Sequence, residues 1–396
     1  MVDISLPTGL TSPVQTRGVL KVNGKRFNSW KSISINRSIA QIAGSFSFTT
    51  SNRYAGENEK WGVSEGDECT VDIGDERVLT GYIDEIADGY SLNSHDVTFA
   101  GRDKTGDLVD CPYDVFSLNK VEVQSSGSFP VTPAAGEGEF QNLTPIQIIE
   151  KLAKSVSVET VLDDFILGFD AITTKTIPDY KLQTGRMLFE DIAELCQQYG
   201  VLPITTGDGK LFITRAATGL ARAFDTLEAG VNILSNRKTD SIKDRYSVYY
   251  GEGPSQTTAF QGSPIAEGKF IDKYVASKRV RPYIIMVGEQ ATNDTCQKRA
   301  AWEGRIRMGG SRKVETSVYK WTQTNGKIWP LNGLVQMRDR KIGVNDELLI
   351  AGIGLNLDST GGELTTMSLV HPDTFVLKEN EPIKSTDGLN AFGRPL

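Results

Sequence analysis

Residues 69–86, CTVDIGDERVLTGYIDEI, contain the clearest strand pattern of the chain. Two runs with β-branched and aromatic residues, 69–73 and 78–86, are separated by Gly, Asp and Glu, and a third run, DVTFAG at 96–101, follows them. Short runs of this kind, bounded by glycine, aspartate or asparagine, are typical of antiparallel strands. The quoted stretch therefore predicts neighbouring strands of one sheet.

The residues that precede this stretch continue the same pattern. VLKV at 19–22 leads into Asn23-Gly24, a two-residue turn signal because both positions tolerate positive φ. SISI at 32–35 and SFSF at 45–48 alternate serine with an apolar residue, which is the period of a half-buried strand. Six or seven antiparallel strands in about 100 residues predict a barrel or a sandwich.

The middle of the chain contains helix start and stop signals. Thr144-Pro145-Ile146-Gln147 is a capping-box pattern at the start of one helix, and a second helix is predicted at about 185–199, before Gly200. VLPITT and KLFIT, joined through Gly207-Asp208-Gly209, predict a hairpin. The sequence thus predicts a compact α+β domain here.

The last part returns to strands around one predicted helix at 292–308. Two β regions of similar size suggest an internal duplication, although no residue-level repeat is visible. The strand-rich segments are 241–251, 273–288, 312–321, 333–343, 347–358 and 363–370.

The predicted fold class is α+β, mainly β, with two antiparallel β-barrel domains and a small α+β domain between them. The predicted boundaries are 1–116 for the N-terminal β-barrel domain, 117–141 for a linker or long excursion, 142–229 for the small α+β domain, 230–376 for the second β-barrel domain with one helix, and 377–396 for a loose C-terminal tail.

Composition excludes several classes of protein. The 396 residues are 39% hydrophobic and 23% charged, without the roughly 18 consecutive apolar residues of a membrane span. The N-terminus lacks the basic and apolar pattern of an export signal, so we expect folding in a cytoplasm and no membrane anchor. The four cysteines show no CxxC spacing, which argues against a zinc ribbon, an iron–sulfur cluster or a disulfide framework.

The sequence contains few groups suited to catalysis. We expect structural roles for its two histidines, His95 and His371. The acidic residues between 57 and 67 lie in a polar stretch, and solvated charge is preferred over a glycosidase pair. AGIGLN at 351–356 has only GxG spacing inside a strand, where a dinucleotide motif needs a strand-to-helix turn. We expect no catalytic residue, metal or cofactor.

Positive charge is concentrated in one part of the chain. The net charge is -7, yet residues 230–320 alone carry more basic than acidic side chains. An interface with an acidic protein surface is favoured over nucleic-acid binding, because the chain has a pI near 5.2 and lacks an RNP or helix-turn-helix pattern. A solvated face without a partner is the remaining alternative. The candidate interface charges are Arg299, Arg305, Arg307, Arg312 and Lys313.

Four segments together resemble the baseplate hub tail proteins of Mu-like contractile-tailed bacteriophages, and GRDKTGDLVDCP at 101–112 is the most specific of them. The other three are WKSISINRSIAQIAGSFSFTTSNR at 30–53, GDECTVDIGDERVLTGYIDEI at 66–86, and WPLNGLVQMRDRKIGVNDELLIAGIGLNLDSTGGELTTMSLVHPDTF at 329–375.

The resemblance implies a non-enzymatic structural subunit of the virion tail baseplate, assembled in the host cytoplasm. It implies a homotrimer in which each chain supplies two tube-like β domains, so that a ring joins a threefold central spike to a sixfold tail tube. The implied partners are the spike protein, the tail tube protein and other baseplate proteins. DNA would pass through the channel without sequence-specific binding.

The most specific of these segments is interpreted as a structural junction rather than a catalytic motif. Gly101 and Gly106 permit turns, Arg102 and Asp103 can form charge-assisted hydrogen bonds, and Asp107 completes the candidate set. Two other functions were weighed. A peptidoglycan-degrading tail component needs an essential carboxylate, and a virion carbohydrate-binding module needs exposed aromatic clusters, whereas the five tryptophans are dispersed.

Overall fold

A computed structural model describes residues 18–51, 62–92, 94–113, 138–164, 166, 171–183, 185–216, 222–254, 265–287, 293–358 and 362–375. The predicted C-terminal tail at 377–396 and most of the predicted linker at 117–141 lie outside the described residues. The predicted domain boundaries remain predictions.

The strands and helices follow one another in three groups. The first group is β1 (Gly18–Val22), β2 (Lys25–Phe27), β3 (Ser32–Ser38), β4 (Ser45–Ser51), β5 (Glu68–Ile73), β6 (Glu76–Tyr90) and β7 (His95–Asp103). The second is α1 (Gly106–Asp110), β8 (Glu139–Leu143), α2 (Pro145–Ser155), β9 (Thr160–Leu162), α3 (Ala171–Thr174), β10 (Ile177–Lys181), α4 (Leu188–Tyr199), β11 (Leu202–Thr205) and β12 (Leu211–Thr214). The third is β13 (Leu227–Glu228), β14 (Ile233–Asp240), β15 (Val248–Pro254), β16 (Ile265–Ile271), α5 (Lys273–Ala276), β17 (Pro282–Met286), α6 (Asn293–Gly310), β18 (Arg312–Tyr319), β19 (Leu334–Asp339), β20 (Val344–Asp358), β21 (Gly362–Val370) and a 3-10 turn (Pro372–Phe375).

One 13-stranded sheet joins the first and third groups, in the order β14-β18-β21-β20-β3-β4-β7-β6-β5-β1-β2, with β19 beside β20 and β13 beside β19. The prediction of two closed barrels is wrong, because this sheet is open along the described strands. The physical reason lies in the 15-residue strand β20. One of its edges pairs with β19 over its first half and with β3 over its second half, so the edge is shared between the two β regions.

The large sheet contains two five-stranded units with the same pairing order. The first unit is β3-β4-β7-β6-β5 and the second unit is β14-β18-β21-β20-β19. Their long strands, β6 and β20, have 15 residues each, and each has an irregular register against its neighbour, between Ile83 and Glu85 and between Ile350 and Gly352. The suggested duplication is therefore present in the strand order.

The main core lies on one face of this sheet. Serine alternates with buried Ile33 and Ile35 on β3 and with buried Phe46 and Phe48 on β4, as the period-two pattern predicted. Trp321 is fully buried among them, and its Nε1 donates a hydrogen bond to the Asn356 carbonyl at 2.9 Å. The apolar side chains of both units form a single cluster, which makes the two units one packed body.

The α+β part has its own core, built mainly by α2 and α4. The predicted capping box at Thr144 and Gln147 is confirmed, since each side chain bonds the other residue's backbone N–H. Gly200 ends α4 in the left-handed conformation with φ 67°, as its position predicted. The predicted hairpin is confirmed as β11 and β12, and β9 pairs with β12 in parallel.

A small sheet, β16-β15-β17, carries α6 on one side. The helix approaches the strands at glycine, since a Cβ on Gly268 would lie 2.0 Å from the Gln297 backbone nitrogen. The predicted strand at 273–288 is only partly right: 282–286 is β17, but 273–276 is α5. The Asp272 side chain explains the helix, because it accepts hydrogen bonds from the backbone of Tyr274 and Val275 as an N-cap.

Candidate assembly surfaces

The predicted junction lies where β7 ends and α1 begins. The neighbouring strands β6 and β7 approach each other so closely at Gly101 that a Cβ there would lie 2.0 Å from the Tyr82 carbonyl oxygen. Arg102 is held between two carboxylates, with Nε 3.0 Å from Asp84 and Nη2 2.6 Å from Asp110. These contacts fix the end of β7 against β6 and against α1. Gly106 begins the helix and Asp107 follows in its first turn.

Asp103 connects the first unit to the α+β part. Its carboxylate accepts hydrogen bonds from the Gly44 N–H at 2.6 Å and from the Thr105 N–H at 3.0 Å. The Thr105 hydroxyl lies 2.8 Å from the Thr205 hydroxyl of β11, which donates to the Ile42 carbonyl at 2.6 Å. Burial raises the pKa of Asp103 to about 6, so ionising this carboxyl costs the folded state free energy.

We expect Asp103→Asn to flatten the stability profile between pH 4 and pH 6. The wild-type carboxyl binds its proton more tightly when folded, so its contribution is complete below pH 4 and is lost as pH rises through about 6. A shift of about two units corresponds to roughly 3 kcal/mol at most. Urea unfolding at several pH values measures this slope. Asp208→Asn, an exposed turn position, is the control that should leave it unchanged.

The five candidate interface charges do not form a single patch. Arg299 stacks over Trp302 at 4.3 Å, and Arg307 donates to Glu303 at 2.8 Å. Arg312 and Lys313 lie on β18, where Arg312 is 9% exposed and binds Asp240 at 2.8 Å, and Lys313 pairs with Glu315 at 2.9 Å. Arg305 acts electrostatically on Asp373 after the last strand. Their role in subunit contacts remains a prediction.

The face of the large sheet opposite the core is covered by small polar side chains, and we call it the polar face. Its hydroxyls bond one another across strands, for example Thr49 with Thr98 at 2.9 Å and Ser34 with Asn356 at 3.1 Å. An open depression of about 740 Å³ lies on it. Members of the polar face are Ser34, Asn36, Ser45, Ser47, Thr49, Thr98, Ser235, Ser317, Gly352, Gly354, Asn356, Thr366 and Ser368.

Two edges of long strands in the large sheet have no described partner strand, besides the outer edges of the short strands β2 and β13. The first is the edge of β6 beyond Ile83. Ile83 makes the last described backbone hydrogen bonds on this edge, with Gly66 and Asp67, which precede β5. The second is the edge of β14 that faces away from β18. A strand edge offers unpaired N–H and C=O groups to another chain.

The histidines and cysteines are the side chains of this chain most suited to catalysis or metal binding. His95 bonds Asp88 at 2.7 Å, and His371 Nδ1 lies 3.4 Å from Asp373. Three of the four cysteines are buried, and burial raises the pKa of the Cys69 thiol to about 12. Within the described ranges, no three His, Cys, Asp or Glu side chains are grouped to hold a metal, and no helix could span a membrane.

The polar face and the free edges were missed by the sequence reasoning. The signal for the polar face was present as the serines and threonines that alternate with the apolar residues of β3 and β4. It was used only to predict strands. The edges left no local signal, because edge position depends on which distant strand pairs with which.

Two family models match the chain at its ends. Residues 18–103 match the N-terminal domain of the Mu phage baseplate assembly protein GpP-like family, and residues 292–378 match the fourth domain of the Mu phage baseplate assembly protein GpP. The matched ranges contain all five strands of the first unit and the strands β18 to β21 of the second unit.

Known proteins of the same length are similar to the whole chain. Baseplate hub protein gp44 of Escherichia phage Mu is 28% identical over 382 residues, which cover 94% of this chain and 93% of that protein. The crystal structure of the 43 kDa tail protein of prophage MuSo2 from Shewanella oneidensis has a TM-score of 0.73 at 29% identity, covering 90% of this chain and 99% of that one. A tail protein from Neisseria meningitidis MC58 shares the fold, with a TM-score of 0.70 at 18% identity over 92% of this chain and 99% of that one. The matched domains, the hub relative and the shared fold each make this chain similar to the baseplate hub proteins of Mu-like contractile-tailed bacteriophages, the family that its sequence motifs resemble.

Proposed function

We propose that three copies of this hub protein form a closed ring around the tail channel. The observation that carries the proposal is the pair of like five-stranded units joined in series within one sheet. Three chains with two units each present six similar units, which gives a sixfold surface on a threefold assembly. Such a ring can join a threefold central spike to a sixfold tail tube.

The polar face is proposed as the lining of that channel. Small hydroxyl and amide groups offer no row of cations, and cations are what binds a nucleic-acid backbone tightly. The charged side chains near this face are few and of both signs: Lys313 pairs with Glu315, Arg237 lies opposite Glu315, and Arg102 pairs with Asp84 and Asp110. Arg37, which also lines the depression, donates to the Thr205 carbonyl. DNA can therefore pass without sequence-specific binding.

The proposed function requires no catalysis and no cofactor. The partners proposed for the ring are the spike protein, the tail tube protein and other baseplate proteins. Large obligate interfaces of this type commonly bury more than about 2,000 Å². The virion baseplate is the place of action, after assembly in the host cytoplasm.

The solution mass tests the ring. We expect light scattering of the purified protein to give three times the chain mass of 43.3 kDa, and electron microscopy to show a ring with a central opening. A monomer that stays monomeric when mixed with its spike protein would contradict the proposal.

The carbohydrate-binding alternative receives little support from the described tryptophans. Trp302, Trp321 and Trp329 are buried, and Trp30 packs against the core with its ring centroid 4.8 Å from that of Phe48. A glycan platform needs exposed aromatic faces. A glycan array distinguishes the two functions, because a structural ring should show no saturable sugar binding.

A further inference from the structure

We propose that neighbouring chains of the ring join by adding β14 of one chain to the free edge of β6 in the next, antiparallel, with Lys238 opposite Asp88. This inference rests on the proposed trimer and specifies which strands and which register close it. The two edges are heterologous, so each chain uses both of them, and a closed ring leaves neither edge unpaired.

The template for this contact is present inside the chain. The second unit already receives the first strand of the first unit, because β3 pairs with the second half of β20. In that junction Leu355 lies directly opposite Ile35. The first half of the same edge is occupied by β19, and β3 and β19 share the edge without overlap.

In the first unit, the corresponding edge of β6 is only half occupied. β5 corresponds to β19 and occupies the first half of the β6 edge, up to Glu68 opposite Tyr82. No described strand pairs with the second half. The strand that corresponds to β3 is β14, the first strand of the second unit, and its outer edge is the other free one. The internal junction between the units therefore predicts the junction between chains.

The register follows from rows of directly paired residues that cross each unit. Five residues after Ile350 on β20 comes Leu355, the partner of Ile35, and five residues after Ile83 on β6 comes Asp88. Ile35 is the β3 member of the row that begins at Ile83, and Lys238 is the β14 member of the row that begins at Ile350. Ile35 pairs with the residue five positions after Ile350, so by the same geometry Lys238 of one chain pairs with the residue five positions after Ile83 of the next, which is Asp88. The two rows are Ile83, Gly101, Phe46 and Ile35 in the first unit, and Ile350, Leu369, Val314 and Lys238 in the second.

The charges of the two edges complement each other. The second half of β6 contains Glu85 and Asp88, besides Asp84, which already pairs with Arg102. The β14 strand contains Arg237 and Lys238, and its terminal Asp240 already pairs with Arg312. Opposite charges directly across two strands stabilise their pairing.

The internal junction uses apolar partners at the same position, since Ile35 and Leu355 are both buried. The charged pair therefore selects the correct partner for each edge. If β14 paired with β20, Lys238 would face Leu355, and if β3 paired with the second half of β6, Ile35 would face Asp88. Either exchange would bury a charge against an apolar side chain.

Both edges are accessible in the single chain. Ala87, Asp88 and Gly89 are exposed, and Tyr90 is 87% exposed. On β14, Arg237 and Thr239 are exposed, whereas the Lys238 side chain is 18% exposed and its Nζ lies 3.5 Å from Asp240, so Lys238 has to turn toward the edge or share its charge between Asp240 and Asp88. Asp88 already bonds His95 through Oδ1. A carboxylate has further acceptor positions, so it can keep this bond and receive Lys238.

A disulfide between chains tests the register. Ala87 falls opposite Thr239 in the proposed pairing, as Gly354 does opposite Asn36 inside the chain. Directly opposite residues have Cα atoms about 4.5–5.5 Å apart, within the reach of a disulfide. We expect Ala87→Cys with Thr239→Cys to give a covalent trimer on a non-reducing gel. The control pair, Ala87→Cys with Ser235→Cys, is four residues out of register, about 13 Å, and should not cross-link.

The outcomes separate this inference from the proposed function. A trimer by light scattering without a cross-link at 87 and 239 would overturn the strand pairing and leave the ring intact. Absence of a trimer, both alone and with the spike protein, would overturn both.

Charge exchange gives a second measurement. We expect Asp88→Lys or Lys238→Asp alone to weaken trimerisation at least tenfold, and the double variant to recover most of it. Equal dissociation constants for the wild type and both single variants would contradict the proposed register.

Discussion

Replacing Gly81 by alanine is expected to destabilise the protein by about 3 kcal/mol or more, because there is no room for a methyl group where β6 packs against the backbone of β7. A Cβ at this position would lie 1.9 Å from the Arg102 carbonyl oxygen and 2.6 Å from the Asp103 Cα. Both atoms belong to the backbone, so no side-chain rotation can relieve the contact. Thermal or urea unfolding followed by tryptophan fluorescence measures the loss.

Gly89→Ala is the matched control for this prediction. Gly89 lies on the same strand, and nothing comes within 4 Å of a Cβ placed there. We expect its unfolding midpoint to stay close to that of the wild type. Identical midpoints for the Gly81 and Gly89 variants would show that β6 and β7 are not as close at Gly81 as described.

Arg245→Met is the second substitution with a large expected effect, a loss of about 3–5 kcal/mol. The side chains of Arg245 and Asp272 are only 7% and 2% exposed, and Arg245 Nη2 lies 2.7 Å from the Asp272 carboxylate. Arg245 Nη1 also donates to the Ser311 hydroxyl at 3.2 Å. Removing the guanidinium leaves a buried carboxylate without its cation. Urea unfolding measures the change in free energy.

An exposed ion pair provides the control. Lys298 pairs with Asp294 at 2.5 Å on α6, but both side chains are largely exposed. Such a pair contributes at most about 0.5 kcal/mol. We expect Lys298→Met to be nearly neutral. A similar loss in the Arg245 and Lys298 variants would mean that burial does not govern the strength of these pairs. The double variant Arg245→Met with Asp272→Leu should recover part of the loss, less the value of the Asp272 cap on α5.

The charge pattern of the sequence predicted an interface in the basic region 230–320, and the five candidate residues remain a prediction. The basic region 230–320 does contain β14, the strand that we propose to meet acidic β6. The individual candidates, however, were chosen around α6. There Arg307 bonds Glu303 and stacks against Tyr283 with its guanidinium 4.5 Å from the ring centroid. Net charge is a property of a segment, whereas an interface depends on which side chains the fold leaves exposed.

The local elements and the resemblance to the hub proteins could be predicted from the sequence alone. Period-two alternation on β3 and β4, the Asn23-Gly24 turn and the Thr144 capping box act over a few residues, so their outcome can be predicted from neighbouring positions. The short cap at Asp272 is local as well, but it was hidden inside a run of strand-forming residues. The family followed from motifs that the residues carry directly.

The joining of the two β regions into one open sheet could not be predicted from the sequence, and it is seen in the strand pairing of the folded chain. Strand pairing is a hydrogen-bond match between backbones, and every strand offers the same backbone groups to any partner. The bond from the Ser34 hydroxyl to Asn356 spans 322 positions of sequence, and no local periodicity encodes such a pairing. The order of strands, the two free edges and the polar face all depend on that choice of partner, and the proposed assembly depends on them.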